Sequence, residues 1–275
     1  MKTKTFLMVA LLMVCISTGV YAKGSSTKIP FKPSDTWMGV YYKDFKIGYV
    51  HTTIHNDNYE GKDALKRVDV LALKWCYNGK IEQCEVACTL IVDKSYNPLY
   101  ESVKQRDGDP SKPSRCPMEI KYREKDMILS FNDGNKLLTS DFEEKDKTIE
   151  RLSHQYDLGA MKLLVGSKFH MRHAYLIGCA VGDNAVDINY MRSSTVLNVV
   201  RGEKLQLDGH DYDTLVVSEI VEKGDTPEVL RWHLKTGEVV KIEIPANQIT
   251  YIREPREKAI LIPLFSGPDI SEIAK

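Results

Sequence analysis

Apolar and polar positions alternate along most of this chain. Aromatic and β-branched residues take the apolar beats, and clusters of Gly, Asn, Asp and Pro separate the runs. A period of two marks half-buried strands. Thr36 to Tyr42 and Ile47 to Ile54 flank the polar tip Lys43-Asp44-Phe45-Lys46 and read as a hairpin. Gly39 and Gly48 inside those strands signal a bulge or the close passage of another segment. Arg67 to Cys76 and Ile81 to Val92 follow, separated by Tyr77-Asn78-Gly79-Lys80, and Asn-Gly is a strong hairpin turn. Further strands are expected at Pro98 to Lys104, Met118 to Tyr122 and Met127 to Phe131. Asp107 to Pro113 is a loop and Asn132 to Asn135 a turn. Beyond the middle of the chain the pattern resumes at Thr195–Val200, Lys204–Leu207, Tyr212–Val221, Val229–Lys235, Val239–Ile244 and Gln248–Arg253. Asp208-Gly209-His210-Asp211 and Lys235-Thr236-Gly237-Glu238 are turns. Short links between successive strands predict a meander of antiparallel pairs.

One segment breaks the alternation. Ile149, Leu152, Tyr156, Met161, Leu164 and Val165 recur at spacings of roughly three and four, which predicts an amphipathic helix over 146–165, with a break near Gly159 and an end at Gly166. Strands, one helix, then strands predict a mainly β (α+β) fold. Its expected form is a large curved antiparallel sheet or half-barrel, one-lobed or two-lobed, with the central helix packed on it. The domain reading is a lead-in at 23–35, a β-rich domain at 36–262 and a tail at 263–275. Two lobes, 36–145 and 167–262, would be joined by the helix.

Residues 1–22 read as an address. Lys2 and Lys4 precede an apolar run from Phe6 to Ile16, and Val20-Tyr21-Ala22 offers a cleavage site, as in a secretory signal peptide. Lys23 becomes the expected mature N-terminus, and the expected location is periplasmic or secreted. Leu12-Met13-Val14-Cys15 faintly resembles a lipid-attachment motif, but Val14 is too large for the position before a lipidated Cys. The chain balances 38 basic against 38 acidic residues. No basic field is present for nucleic acid or an anionic membrane surface. After residue 22 no apolar run is long enough for a membrane helix.

Five cysteines follow the leader: Cys76, Cys84, Cys88, Cys116 and Cys179. Export favours bridges, and the odd count leaves one thiol over or paired outside the chain. Cys76, Cys84, Cys88 and Cys116 are the bridge candidates, pinning neighbouring strands, and Cys179 in the apolar stretch 174–181 is the expected buried thiol. Cys84 and Cys88 share a strand face about 13 Å apart, too far to bond to each other. Their spacing matches neither haem attachment nor a thioredoxin-like motif. His51 and His55 are as far apart, and His170 and His173 face opposite sides of a strand, so no metal site is read. Walker, nucleophile-elbow and His-Glu-x-x-His patterns are absent from the sequence. No cofactor is implied.

Two segments resemble a known group. Trp37-Met38-Gly39-Val40-Tyr41 with Lys46-Ile47-Gly48-Tyr49 is similar to the "W-x-G-(I/V)-Y … K-(I/V)-G-Y" opening of certain exported bacterial β domains. Asp208-Gly209-His210-Asp211-Tyr212, Trp232 to Lys241 and Arg253-Glu254 resemble the later run of the same group. Those domains occur alone or before transglutaminase-like domains, and their function is poorly known. The resemblance implies a β-rich envelope protein, broadly like the half-barrels of periplasmic lipoprotein carriers. This chain departs from the group at His233 and Lys235, where an acidic residue is common. It is expected to stand without a downstream transglutaminase-like domain. No catalytic residue carries over.

The functional expectation is a non-catalytic protein whose curved sheet binds an apolar ligand, such as a lipid, or an envelope protein partner. Trp37, Tyr41, Tyr49, Trp75 and Trp232 are the candidates to line its groove, although packing alone would also explain such large rings. The alternatives are an accessory module for a transglutaminase-like or protease partner, and a hydrolase built on Cys179 or Cys88 with a histidine.

Overall fold

The structure, a computed structural model, describes residues 33–77, 79–93, 98–106, 115–122, 127–131, 134–136, 163–181, 185–221 and 227–263. Among them lie fourteen strands. The first eight are β1 (Ser34–Tyr42), β2 (Phe45–Tyr59), β3 (Lys62–Tyr77), β4 (Lys80–Asp93), β5 (Pro98–Arg106), β6 (Arg115–Tyr122), β7 (Met127–Phe131) and β8 (Gly134–Lys136). The others are β9 (Lys168–Val181), β10 (Ala185–Leu207), β11 (His210–Val221), β12 (Val229–Leu234), β13 (Val239–Ile244) and β14 (Ile249–Arg253). A single-turn helix, α1 (Arg256–Ala259), follows.

All fourteen form one antiparallel sheet in the order β8-β7-β6-β5-β4-β3-β2-β1-β14-β13-β12-β11-β10-β9. The chain meanders outward from β1 to one edge. It resumes at the opposite edge and meanders back until β14 pairs with β1, from Met38↔Arg253 to Tyr42↔Ile249. The described strands β1 to β8 and β9 to β14 are therefore continuous in one sheet through that seam. Twisted sheets of this width curl. Register shifts supply local bends at Val40/Tyr41, Ile91/Val92, Val103/Gln105, Val199/Arg201 and Trp232/His233.

The β-rich, antiparallel expectation holds. Most predicted strands exist and run longer, because cross-strand pairing recruits polar flanks that alternation alone does not mark. Thr195–Val200 and Lys204–Leu207 are not separate: β10 carries both, and Val200 is the bulged residue between them. Asp208-Gly209 turns β10 into β11 with φ of 48° and 77°, the left-handed pair a two-residue hairpin demands. The strand β9 and the first half of β10 were not anticipated. Their apolar run Ala174–Val181 lacks a period. The predicted helix over 146–165 lies outside the described residues except at its end. There Leu163 and Leu164 are irregular and Val165-Gly166 is a turn, so the helix does not reach Val165. The leader 1–22 also lies outside the described residues.

Strand alternation sorts the side chains onto two faces. The first carries the main core: Met38, Val40, Val50, Leu71, Leu73, Trp75, Cys84 and Val86 on one side of the seam, and Ile242, Ile244, Ile249 and Tyr251 on the other. Leu197, Val199 and Val217 continue this face on β10 and β11. The second face holds a smaller cluster of Val216, Trp232 and Val240, with Leu205, Leu207, Leu230 and Leu234 against it. The bulge at Val240 explains how consecutive valines serve both: Val239 belongs to the main core and Val240 packs with Trp232.

Candidate functional site

The motif residues converge at the β1–β14 seam. Trp37, Gly39 and Tyr41 share the second face of β1, and Gly39 stands opposite Tyr49 on β2. Past the end of β14 the backbone stays in register, with the Glu254 amide donating to the Trp37 carbonyl at 3.0 Å. This carries the Glu254 side chain over Gly39. Its carboxylate is fully buried and accepts from the Tyr41 hydroxyl at 2.5 Å and the Lys46 ammonium at 2.6 Å. Lys46 also donates to the Lys258 carbonyl on α1. Lys258 pairs with Asp208 at 2.7 Å and approaches Glu254 at 3.4 Å. Residues from positions 39 to 258 thus meet around one carboxylate. Burial, then the bond to Glu254 and its charge, push the Tyr41 phenol well above its ordinary range. The Asp208 bond is the chief reason the Lys258 ammonium is held above its usual range.

Beside this latch lies a ladder of rings. Trp37 stacks on His51 with centroids 3.7 Å apart and planes at 11°, and tilts against Tyr49 at 5.6 Å. Asp35 anchors His51 at 2.8 Å, and the Arg256 guanidinium sits 5.7 Å from the Trp37 ring. His55 is two pleats further along β2. These contacts occupy the rings with neighbours from the same chain.

The five groove candidates do not share a face. Trp37, Tyr41, Tyr49 and Trp232 lie on the second face. Trp75 lies on the first, in the main core. Trp75 and Trp232 are 3% and 2% exposed, so both fill space rather than line an opening. The Lys241 ammonium lies 4.5 Å from the Trp232 ring.

The first face holds what the sequence reading missed: charged groups inside an apolar surface. Arg67 and Asp69 form a two-point pair, Nε to Oδ2 at 2.7 Å and Nη2 to Oδ1 at 2.8 Å, and the Thr52 hydroxyl donates to Asp69 at 2.6 Å. Arg231 and Glu219 pair at 2.9 Å with both side chains 5% exposed. The register places both pairs on the core side: Thr52↔Asp69↔Cys88 on β2 to β4, and Val217↔Arg231↔Ile242 with Glu219↔Val229 on β11 to β13. Alternation was the available signal. Arg67 and Asp69 stand in step with Leu71, Leu73 and Trp75, and Arg231 stands on a buried beat of β12.

Cys88 neighbours the first pair. Burial and then the Asp69 charge push its thiol up to about 12, against the opposing pull of Arg67. At neutral pH the group is a protonated thiol, the reverse of what a nucleophile requires. Cys179 lies on β9, outside the residues whose side chains are described. No bridge joins any two of Cys76, Cys84 and Cys88. Alternation explains this: Cys84 and Cys88 share the core face four residues apart, and Cys76 is on the other face. The Cys116, His170 and His173 side chains lie outside the described set. His233 is fully buried, with Nδ1 at 3.1 Å from the Gly237 carbonyl, so it serves the β12–β13 turn. Among the described residues, no group of three or more His, Cys, Asp or Glu is placed to hold a metal ion. No described helix is long and apolar enough to cross a membrane. An open hollow of about 310 Å³ beside β10 and β11 is lined by Gly202, Glu203, Lys204, Asp213, Thr214 and Lys235, and by none of the five aromatic candidates.

No protein-family model and no curated protein matches the chain. Among solved structures it is similar to a beta-barrel-like protein of a domain of unknown function from Brucella abortus, at 7% identity and a TM-score of 0.47, covering 82% of this chain and 96% of that one. It is also similar to a protein from Pseudomonas aeruginosa, at 8% identity and a TM-score of 0.38, with the same coverage. Both are described as belonging to families of unknown function. The link to transglutaminase-like domains rests on the motifs alone.

Proposed function

We propose that this protein is an exported, non-catalytic binding protein that holds an apolar or amphiphilic ligand, such as a lipid, against the first face of its sheet. One observation carries the reading. The apolar face runs over seven neighbouring strands, β4 to β1 and β14 to β12, with one buried ion pair inside it on β3 and a second bridging β12 to β11 at its margin. Buried ion pairs add little net stability over apolar packing of the same volume, so stability is a weak reason to keep them there. A polar headgroup among apolar tails is a ligand to which such a face corresponds. Core residues such as Val40 and Leu71 are 0% and 2% exposed, so entry requires the face to open. The protonated state of Cys88 supports the non-catalytic part. The leader read at 1–22 supports export.

The test is native mass spectrometry and organic extraction of protein expressed with its leader and recovered from the exported fraction. An apolar molecule is expected to co-purify, and the N-terminus is expected at Lys23. Protein that emerges empty and takes up no fluorescent fatty acid would sink the ligand reading. Retention of the leader inside the cell would sink export.

A further inference from the structure

We propose that the outer edge of β9 is a strand-addition site that takes β9 of a second copy of this chain, antiparallel, about a two-fold axis. β9 is the end strand of the sheet among the described residues. Among the described residues its backbone is laddered only to β10, from Lys168↔Asn198 to Val181↔Ala185. Among the described residues nothing pairs with the other flank of this fourteen-residue strand, whose amide and carbonyl groups require water or another strand. The opposite edge cannot supply that strand from within the described chain, because β8 spans three residues, Gly134–Lys136.

Long edges are kept solitary by proline, charge or bulges. The second half of β9 has none of these. Ala174-Tyr175-Leu176-Ile177-Gly178-Cys179-Ala180-Val181 carries no charge and no proline, and its ladder to β10 runs without a register shift. The first half is different, with Lys168, His170, Arg172 and His173. That asymmetry selects both partner and direction. A parallel neighbour copy would set Lys168 beside Lys168 and Arg172 beside Arg172, like charges in register. An antiparallel copy centred on Gly178 sets Tyr175 opposite Val181, Leu176 opposite Ala180 and Ile177 opposite Cys179, with the two basic halves at opposite ends. The arrangement is self-complementary and closes at two copies. It does not rest on the ligand reading, since it uses backbone pairing at the sheet edge and not the apolar face.

Light scattering and sedimentation of the mature chain, kept reduced, over about 1 to 100 μM test it. A concentration-dependent dimer is expected. Ile177→Lys sets two like charges two register positions apart across the two-fold axis and is expected to weaken the dimer about tenfold or more; Leu176→Lys replaces the apolar residue opposite Ala180 with a charge and is expected to weaken it as well. Lys168→Ala, outside the paired stretch, is expected to leave it unchanged. Hydrogen exchange on the unsubstituted chain gives a measure that does not depend on variant folding: β9 amides should gain protection as concentration rises. A monomer throughout overturns the proposal. So does a dimer indifferent to both lysine substitutions, or β9 amides that exchange equally at low and high concentration.

Discussion

Gly39 lies directly beneath the Glu254 carboxylate, and a Cβ at that position would overlap its Oε2 and crowd the Tyr41 ring. Gly48 is held even tighter, because a Cβ there would meet the Ala72 backbone carbonyl on β3. Gly202 has only the Thr214 carbonyl within reach, at 3.9 Å. Gly48→Ala is therefore expected to destabilise most, by about 3 kcal/mol or more, since a ladder carbonyl cannot move without breaking pairing. Gly39→Ala is expected to cost about 1–3 kcal/mol, as Glu254 gives way. Gly202→Ala is expected to be close to neutral. Urea unfolding of the three variants checks the order, and equal effects at Gly48 and Gly202 would refute it.

The latch gives a second prediction. Glu254→Gln preserves shape but leaves the Lys46 ammonium, 9% exposed, without its counter-charge. The expected loss is about 3–5 kcal/mol, and adding Lys46→Met should restore much of it. A double-mutant cycle read by urea unfolding measures the coupling. Additive losses would show that the pair is not a unit.

Stability and binding separate at the second ion pair of the apolar face. Glu219→Gln alone removes the charge facing a buried guanidinium and should destabilise by about 3–5 kcal/mol. The joint change Arg231→Met with Glu219→Leu should fold with near-native or greater stability. Under the proposed function it should also lose selectivity for ligands with a polar headgroup, read by extraction of the co-purified molecule. Full retention of that selectivity would count against the headgroup role.

Alkaline pH provides a fourth test. Cys88, Tyr41 and Lys258 all have folded-state pKa values raised above their ordinary ones. A raised value means the protonated form is favoured in the fold. The contribution is complete below the unfolded pKa and is lost as pH climbs towards the folded one. For Cys88 that window opens near 9 and closes near 12. Thermal melting from pH 7 upward should show a plateau and then a fall above about pH 9. Cys88→Ala should flatten the first part of that fall; an unchanged slope would place the effect elsewhere.

Much of this fold was legible along the chain because strand signals are local. Alternation at Ile47–Ile54 and Arg67–Cys76, Asn78-Gly79 and Asp208-Gly209 each speak within a few residues. The chemistry was less legible. Trp37 and Trp75 look alike as aromatic beats, yet they fall on opposite faces of the sheet. The run Ala174–Val181 hid β9 because a continuous apolar stretch has no period to read. Arg67 and Asp69 carry no signal of their own beyond standing on the same beats as Leu71 and Leu73.

What the chain determined unaided is its class: an antiparallel meander of half-buried strands, with turns where φ must be positive. These depend on neighbours in sequence and on the geometry of single residues. Tertiary structure alone decided that β14 returns to β1, that Glu254 reaches Tyr41 and Lys46 across more than two hundred positions, and that one buried ion pair sits inside an apolar face and a second at its margin. Those outcomes depend on which strands become neighbours. That choice is made by the joint burial of residues far apart along the chain, and no local pattern contains it.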